Sequence, residues 1–214
     1  MKMKKMIKSA LLLLAVLLPG TAAAYDFVAD GIAYKTDLWG DFAMTSDWGD
    51  EGVLYTGVVT IPESVTNDGT TYPVTKIGAY AFAESTELTG VSIPTSVTEI
   101  EDHAFENCIG LAEVVIPSSV TTIGARAFVG CTKFTSIEIP ASVKEIGIWA
   151  FLNCDNLKDV YCHISDPSVL DLGGFTFSLD SEEYSNRTLH VPAGSVNAYK
   201  ASDWAEYFDQ IVEM

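Results

Sequence analysis

The side chains best equipped for chemistry are four cysteines and three histidines. Cys108, Cys131 and Cys154 are 23 residues apart, and Cys162 follows soon after. An even cysteine count can signal disulfides, and thiolate with imidazole can bind metal or act as nucleophile and base. The spacing points elsewhere. Residues one repeat apart in stacked strands hold their Cβ atoms about 4.8 Å apart, beyond the roughly 3.5–4.5 Å of a disulfide. No C-x-x-C or paired histidine accompanies them, so no metal site is expected. Free, buried thiols acting as small hydrophobes are the reading. Cys162 stands where other units have a strand isoleucine, so it too faces inward. His103, His163 and His190 are scattered, and no G-x-S-x-G, H-E-x-x-H or phosphate-binding glycine loop occurs. The segment from Asp37 to Glu51 is acidic (Asp41, Asp47, Asp50) but lacks the alternating oxygen ligands and central glycine of a calcium loop. It reads as a solvated cover loop. No cofactor and no enzyme activity are expected. The remote hydrolase candidates are His163, Asp166 and Asp171.

What positions these residues is a repeat. Phe82, Phe105, Phe128 and Phe151 recur every 23 residues. Ile77, Ile100, Ile123 and Ile146 keep step, as do Ala81, Ala104, Ala127 and Ala150. From Leu88 the unit reads L-x-x-V-x-I-P-x-S-V-x-x-I-G-x-x-A-F-x-x-C. A period of this size means a solenoid. Val91 and Ile93 lie two apart and point to one side of a strand, which the following proline ends. Val97 and Ile100 form a second inward pair. Gly78, Gly124 and Gly147 permit a tight bend, and His103-Ala104-Phe105 reads as a short helical or 3-10 piece. Burying an apolar side chain contributes about 1.5–3 kcal/mol, whereas ordering each residue costs about 1.5 kcal/mol. One coil therefore cannot fold alone, and stacking must share stability between neighbours.

The ends depart from the pattern. Lys2, Lys4, Lys5 and Lys8, the apolar run Ala10 to Leu18 and Ala22-Ala23-Ala24 read as a signal peptide over 1–24. Residues 25–58 read as an N-terminal β cap, and 59–162 as the repeats. The first repeat carries an insertion near 66–74, where Asn67-Asp68-Gly69 signals a hairpin. Residues 163–214 read as an irregular coil and a C-terminal cap, with a helix near 195–208 capped by Ser195. The whole chain has a net charge of −17. Without its four leader lysines the charge becomes −21, which argues against nucleic acid and anionic lipid. No membrane insertion is expected after leader cleavage, and the mature chain reads as a monomer.

The unit V-x-I-P-x-S-V-x-x-I-G-x-x-A-F-x-x-C resembles the BspA-like leucine-rich repeats of surface and secreted bacterial proteins. Asp30-Gly31-Ile32-Ala33-Tyr34 and Val191-Pro192-Ala193-Gly194-Ser195-Val196 resemble the flanks of such proteins in Bacteroidales. The resemblance implies a right-handed leucine-rich repeat solenoid of roughly four to five coils, built mostly of short strands. It also implies export (periplasmic, secreted or at the cell surface), protein binding or adhesion, and no catalysis.

Function then falls to positions the repeat does not use. The outward strand positions Gly90/Ser92, Glu113/Val115, Ser136/Glu138 and Asp159/Tyr161 form one candidate face. Glu113, Val115, Glu138, Asp159 and Tyr161 would recognise a protein there. The variable column Tyr80, His103, Arg126, Trp149 forms another. Tyr80 and Trp149 are its candidate binding residues, and exposed aromatics there would suit a glycan partner instead.

Overall fold

The computed structural model describes residues 25–36, 43–45, 54–177 and 186–214. The leader 1–24 and most of the acidic segment Asp37 to Glu51 lie outside the described residues. Strand β1 (Phe27–Ala29) pairs antiparallel with β2 (Ile32–Thr36). Asp30 and Gly31 close this hairpin, both with positive φ, as a type I′ turn requires. Next come β3 (Ala43–Thr45) and β4 (Thr56–Thr60). A second hairpin joins β5 (Ser64–Asn67) to β6 (Thr70–Ile77) through Asp68-Gly69, again at positive φ.

Short strands follow in strict alternation. They are β7 (Glu87–Ser92), β8 (Glu99–Ile100), β9 (Glu113–Val115), β10 (Thr122–Ile123), β11 (Ser136–Ile139), β12 (Glu145–Ile146), β13 (Asp159–Cys162), β14 (Asp171–Leu172) and β15 (Thr188–Val191). Helix α1 (Val196–Lys200) and a 3-10 turn (Asp203–Glu206) lead to β16 (Gln210–Glu213). Two parallel stacks result. One runs β4-β7-β9 and β11-β13-β15-β16; the other runs β6-β8-β10-β12-β14, with β1–β3 on its first edge. The chain makes about six turns.

Between the stacks lies a column of rings. Phe82, Phe105, Phe128, Phe151 and Phe177 stack with centroids 5.1, 5.2, 5.4 and 5.3 Å apart, their planes within 10° of parallel. That spacing is close to the rung separation of a sheet. Tyr55 closes the column at Phe82, and Trp204, Tyr207 and Phe208 close it at Phe177. The motif serine has its own column. Ser96 donates to the Val74 carbonyl (2.6 Å), Ser119 to Val97 (2.6 Å) and Ser142 to Val120 (2.7 Å). Each bond satisfies a carbonyl of the preceding coil.

Four local expectations change. Gly124 and Gly147 are not at positive φ. Their role is close approach: a Cβ would stand 2.6 Å from Asp102 N and 2.3 Å from Ala125 N respectively. The Ala-Phe segments are successive hydrogen-bonded turns rather than helices, because left-handed residues such as His103 and Asn107 interrupt them. Residues 163–177 form a further coil: β14 pairs in register with β12, and Phe177 extends the ring column. Phe177 follows Phe151 by 26 residues rather than 23, so the insertion hides the repeat. Last, the helix near 195–208 is only the five residues of α1 plus the separate 3-10 turn. Ser195 makes no side-chain cap; its hydroxyl donates to the Ser165 carbonyl at 2.7 Å.

Candidate functional site

Parallel register aligns the outward residues of the first stack into two columns. One contains Gly90 and Glu113, then Ser136, Asp159 and Thr188. The other contains Ser92 and Val115, then Glu138, Tyr161 and His190. Val115 is 76% exposed, and Val58 on β4 is 74% exposed. Gly90 and Ser92 lie on the strand between them, so the face there is shallow. Glu113 and Glu138 are exposed, whereas Asp159 and Tyr161 are half-buried. The reason is His190. Its ring stacks on Tyr161 with centroids 4.3 Å apart, and its Nε2 lies 2.8 Å from Asp159 Oδ1. His163 Nε2 stands 3.7 Å from Glu138 Oε2. The face is thus a tyrosine and two carboxylates braced by two histidines, with Glu113 and Val115 beside them. Matching Leu189-x-Val191-Pro192 to the strand motif would have put His190 in the Tyr161 column.

The second stack presents a different surface. Register aligns Lys76, Glu99, Thr122, Glu145 and Asp171 in one outward column. Beside it runs a trough of about 600 Å³ whose lining includes Glu99 and Glu145 with Gly124, Gly147, Ala125 and Ile148. Beyond these come Tyr80, His103, Arg126, Trp149 and Phe175, all at φ between +55° and +62°. The left-handed region costs bulky residues roughly 1–2 kcal/mol each. The other left-handed column, Glu84, Asn107, Gly130 and Asn153, contains the cheaper asparagine and glycine. Contacts within the planar column offset part of that cost. Tyr80 stacks on His103 at 4.4 Å, and the Arg126 guanidinium sits 4.3 Å from the centre of the Trp149 ring. Tyr80 is 47% exposed, but Trp149 is half-buried and Arg126 covers one of its faces. Phe175, 49% exposed, joins this column out of step because of the same insertion that displaces Phe177.

The model of the BspA type leucine-rich repeat region matches residues 73–181 in six copies. The chain belongs to that family. A leucine-rich repeat protein from Bacteroides capillosus is 32% identical, with a TM-score of 0.56; the match covers 64% of this chain and 97% of that one. A leucine-rich cell surface protein from Faecalibacterium prausnitzii is 23% identical (TM-score 0.53), over 77% of this chain and 54% of that one. The pneumococcal vaccine antigen PcpA is 20% identical (TM-score 0.58), over 82% and 52%. The chain therefore spans about half the length of these last two, and they share its fold. No curated protein matches.

In this BspA-type solenoid the thiols belong to the scaffold. All four cysteines are free and buried. Cys108, Cys131 and Cys154 donate to the carbonyls of Phe82, Phe105 and Phe128 at 3.0, 3.3 and 3.3 Å. Burial pushes the Cys108 and Cys154 thiols up to about 12, and raises Cys131 and Cys162 as well. A thiol held protonated is a poor nucleophile and a poor metal ligand. Among the described residues no group of His, Cys, Asp or Glu is arranged to hold a metal. The hydrolase candidates are not brought together. His163 faces Glu138, while Asp166 and Asp171 line a hollow by α1 that His163 does not reach. Among the described residues no helix is long and apolar enough to cross a membrane.

Proposed function

We propose that this chain is an exported, non-catalytic module that binds another protein through the outward face of β7, β9, β11, β13 and β15. The observation that carries the reading is the Tyr161–His190 stack flanked by Asp159, Glu138 and the exposed Val115. Aromatic residues are enriched at interfaces, and a stacked tyrosine gives up little conformational freedom on binding. The basic start, apolar run and A-x-A site of residues 1–24 support export. A glycan partner would need a free aromatic face, and Arg126 already covers one side of Trp149.

The test uses residues 25–214, immobilised and probed with purified host matrix proteins and washed bacterial cells. At least one is expected to bind, with affinity reduced tenfold or more in the Glu113→Lys/Glu138→Lys/Asp159→Lys variant. Full binding by that variant, with an unchanged melting temperature, removes the face assignment. Silence across the panel, with glycan-array signals abolished by Trp149→Ala, replaces protein binding with glycan binding.

A further inference from the structure

We infer that the second stack carries a docking site of its own, a trough for an extended basic segment of a partner protein. The trough begins with a cation already in place. Lys76 Nζ lies 2.7 Å from Glu99 and 3.3 Å from Glu101. Other acids at this end are also engaged: Glu101 accepts from Ala79 N, and Asp102 from Ala125 N. Further along the same column, Glu145 and Asp171 are adjacent in register and both exposed. Among the described residues neither has an ion pair or a side-chain hydrogen bond, so Lys76 has no counterpart at this end. Like charges facing each other on neighbouring strands are destabilising, and a basic side chain from outside relieves that repulsion.

Shape and chemistry fit such a segment. Gly124 and Gly147 line the trough without side chains of their own, at the points where consecutive coils touch. The trough lining offers Ile148 and Ala125 to the alkyl stems of lysine or arginine, which pack readily on apolar surface. Behind it, Arg126 on Trp149 shows a guanidinium seated on this rim within the chain itself. Basic residues at alternate positions of an extended segment lie about 7 Å apart, and adjacent rungs about 5 Å apart. A cation in the trough therefore meets Glu145 on its lining, and the next along the segment meets Asp171 one rung beyond the trough's end. A net charge of −17 steers a basic partner towards the molecule, but the column gives it a defined seat.

The experiment is fluorescence anisotropy with a labelled alternating lysine–alanine peptide long enough to cross the trough. The glutamate–alanine peptide serves as control, at about 50 mM and 150 mM salt. The lysine peptide is expected to bind and the glutamate peptide is not. Glu145→Gln/Asp171→Asn is expected to weaken binding about tenfold, the scale of two charge pairs. Asp155→Asn/Glu206→Gln, which removes the same charge from exposed positions outside both strand faces, is expected to change it less than twofold. Equal losses in both variants would mean diffuse attraction and overturn the site. Failure of the lysine peptide to bind at either salt would overturn it as well.

Discussion

Phe128→Ala tests the ring column at its centre. Phe128 is fully buried, 5.2 Å from Phe105, 5.4 Å from Phe151 and 5.8 Å from Phe134. Removing it leaves a void bounded by three rings, which the flanking strands prevent from closing. Phe→Ala in a core costs about 3–5 kcal/mol, and the two lost stacking contacts place this site at the upper end. Against a total of roughly 5–15 kcal/mol, that is a large fraction. For a chain of this size the melting temperature falls about 2–4 °C per kcal/mol, so a drop of roughly 10–20 °C is expected. Urea unfolding followed by circular dichroism measures the loss. In a Trp39→Phe/Trp48→Phe/Trp149→Phe background, Trp204 emission follows the C-terminal coils separately, because neighbour coupling carries stability along a solenoid. Phe128→Leu, which keeps most of the volume, costs about 1.5 kcal/mol or less. A Phe128→Ala loss below about 1 kcal/mol, or one matched by Phe175→Ala at the half-exposed rim, would refute the column as a source of stability.

Two further outcomes follow from local geometry. The Cys108 and Cys154 thiols, raised from 9.0 to about 12, keep protons in the folded chain that the unfolded chain releases. Their contribution is complete below pH 9 and is lost as pH rises towards 12. Urea stability is therefore expected to fall from about pH 9 upward, with a flatter slope in Cys108→Ala/Cys154→Ala; identical slopes would count against it. Gly147→Ala drives a Cβ to 2.3 Å from the Ala125 backbone, while at Gly90 the nearest atom is a Val58 methyl at 3.6 Å. Thermal melts are expected to show a loss of more than about 2 kcal/mol for Gly147→Ala and less than about 0.5 kcal/mol for Gly90→Ala; similar losses would contradict the packing argument.

The 23-residue spacing of Phe, Ile and Ala made the coil legible, because each of those side chains performs the same packing task in every turn. The coil over 163–177 was hidden by three extra residues, which shift Phe175 and Phe177 out of phase without disturbing their stacking. The motif glycines were visible as a pattern but not in purpose, since the neighbouring coil's approach exists only once coils are stacked. At the candidate face, periodicity placed Glu113, Val115, Glu138, Asp159 and Tyr161 together. The 23-residue spacing does not reach His190, which follows Tyr161 by 29 residues; only the strand motif over Leu189 to Pro192 puts it in the Tyr161 column.

The serine, threonine and cysteine columns share a direction. Ser96, Ser119 and Ser142, Thr98 and Thr121, and Cys108, Cys131 and Cys154 all donate to carbonyls of the turn before them. Each turn therefore brings side-chain donors that fasten it to the turn already made, while backbone N–H groups such as those of Phe82, Phe105 and Phe128 donate to the turn that follows. A polypeptide emerging amino end first can wind itself up in the order of its appearance, each completed layer serving as template for the next. That leaves each new layer keyed to the one before it by its side chains and open to the one after it through its backbone.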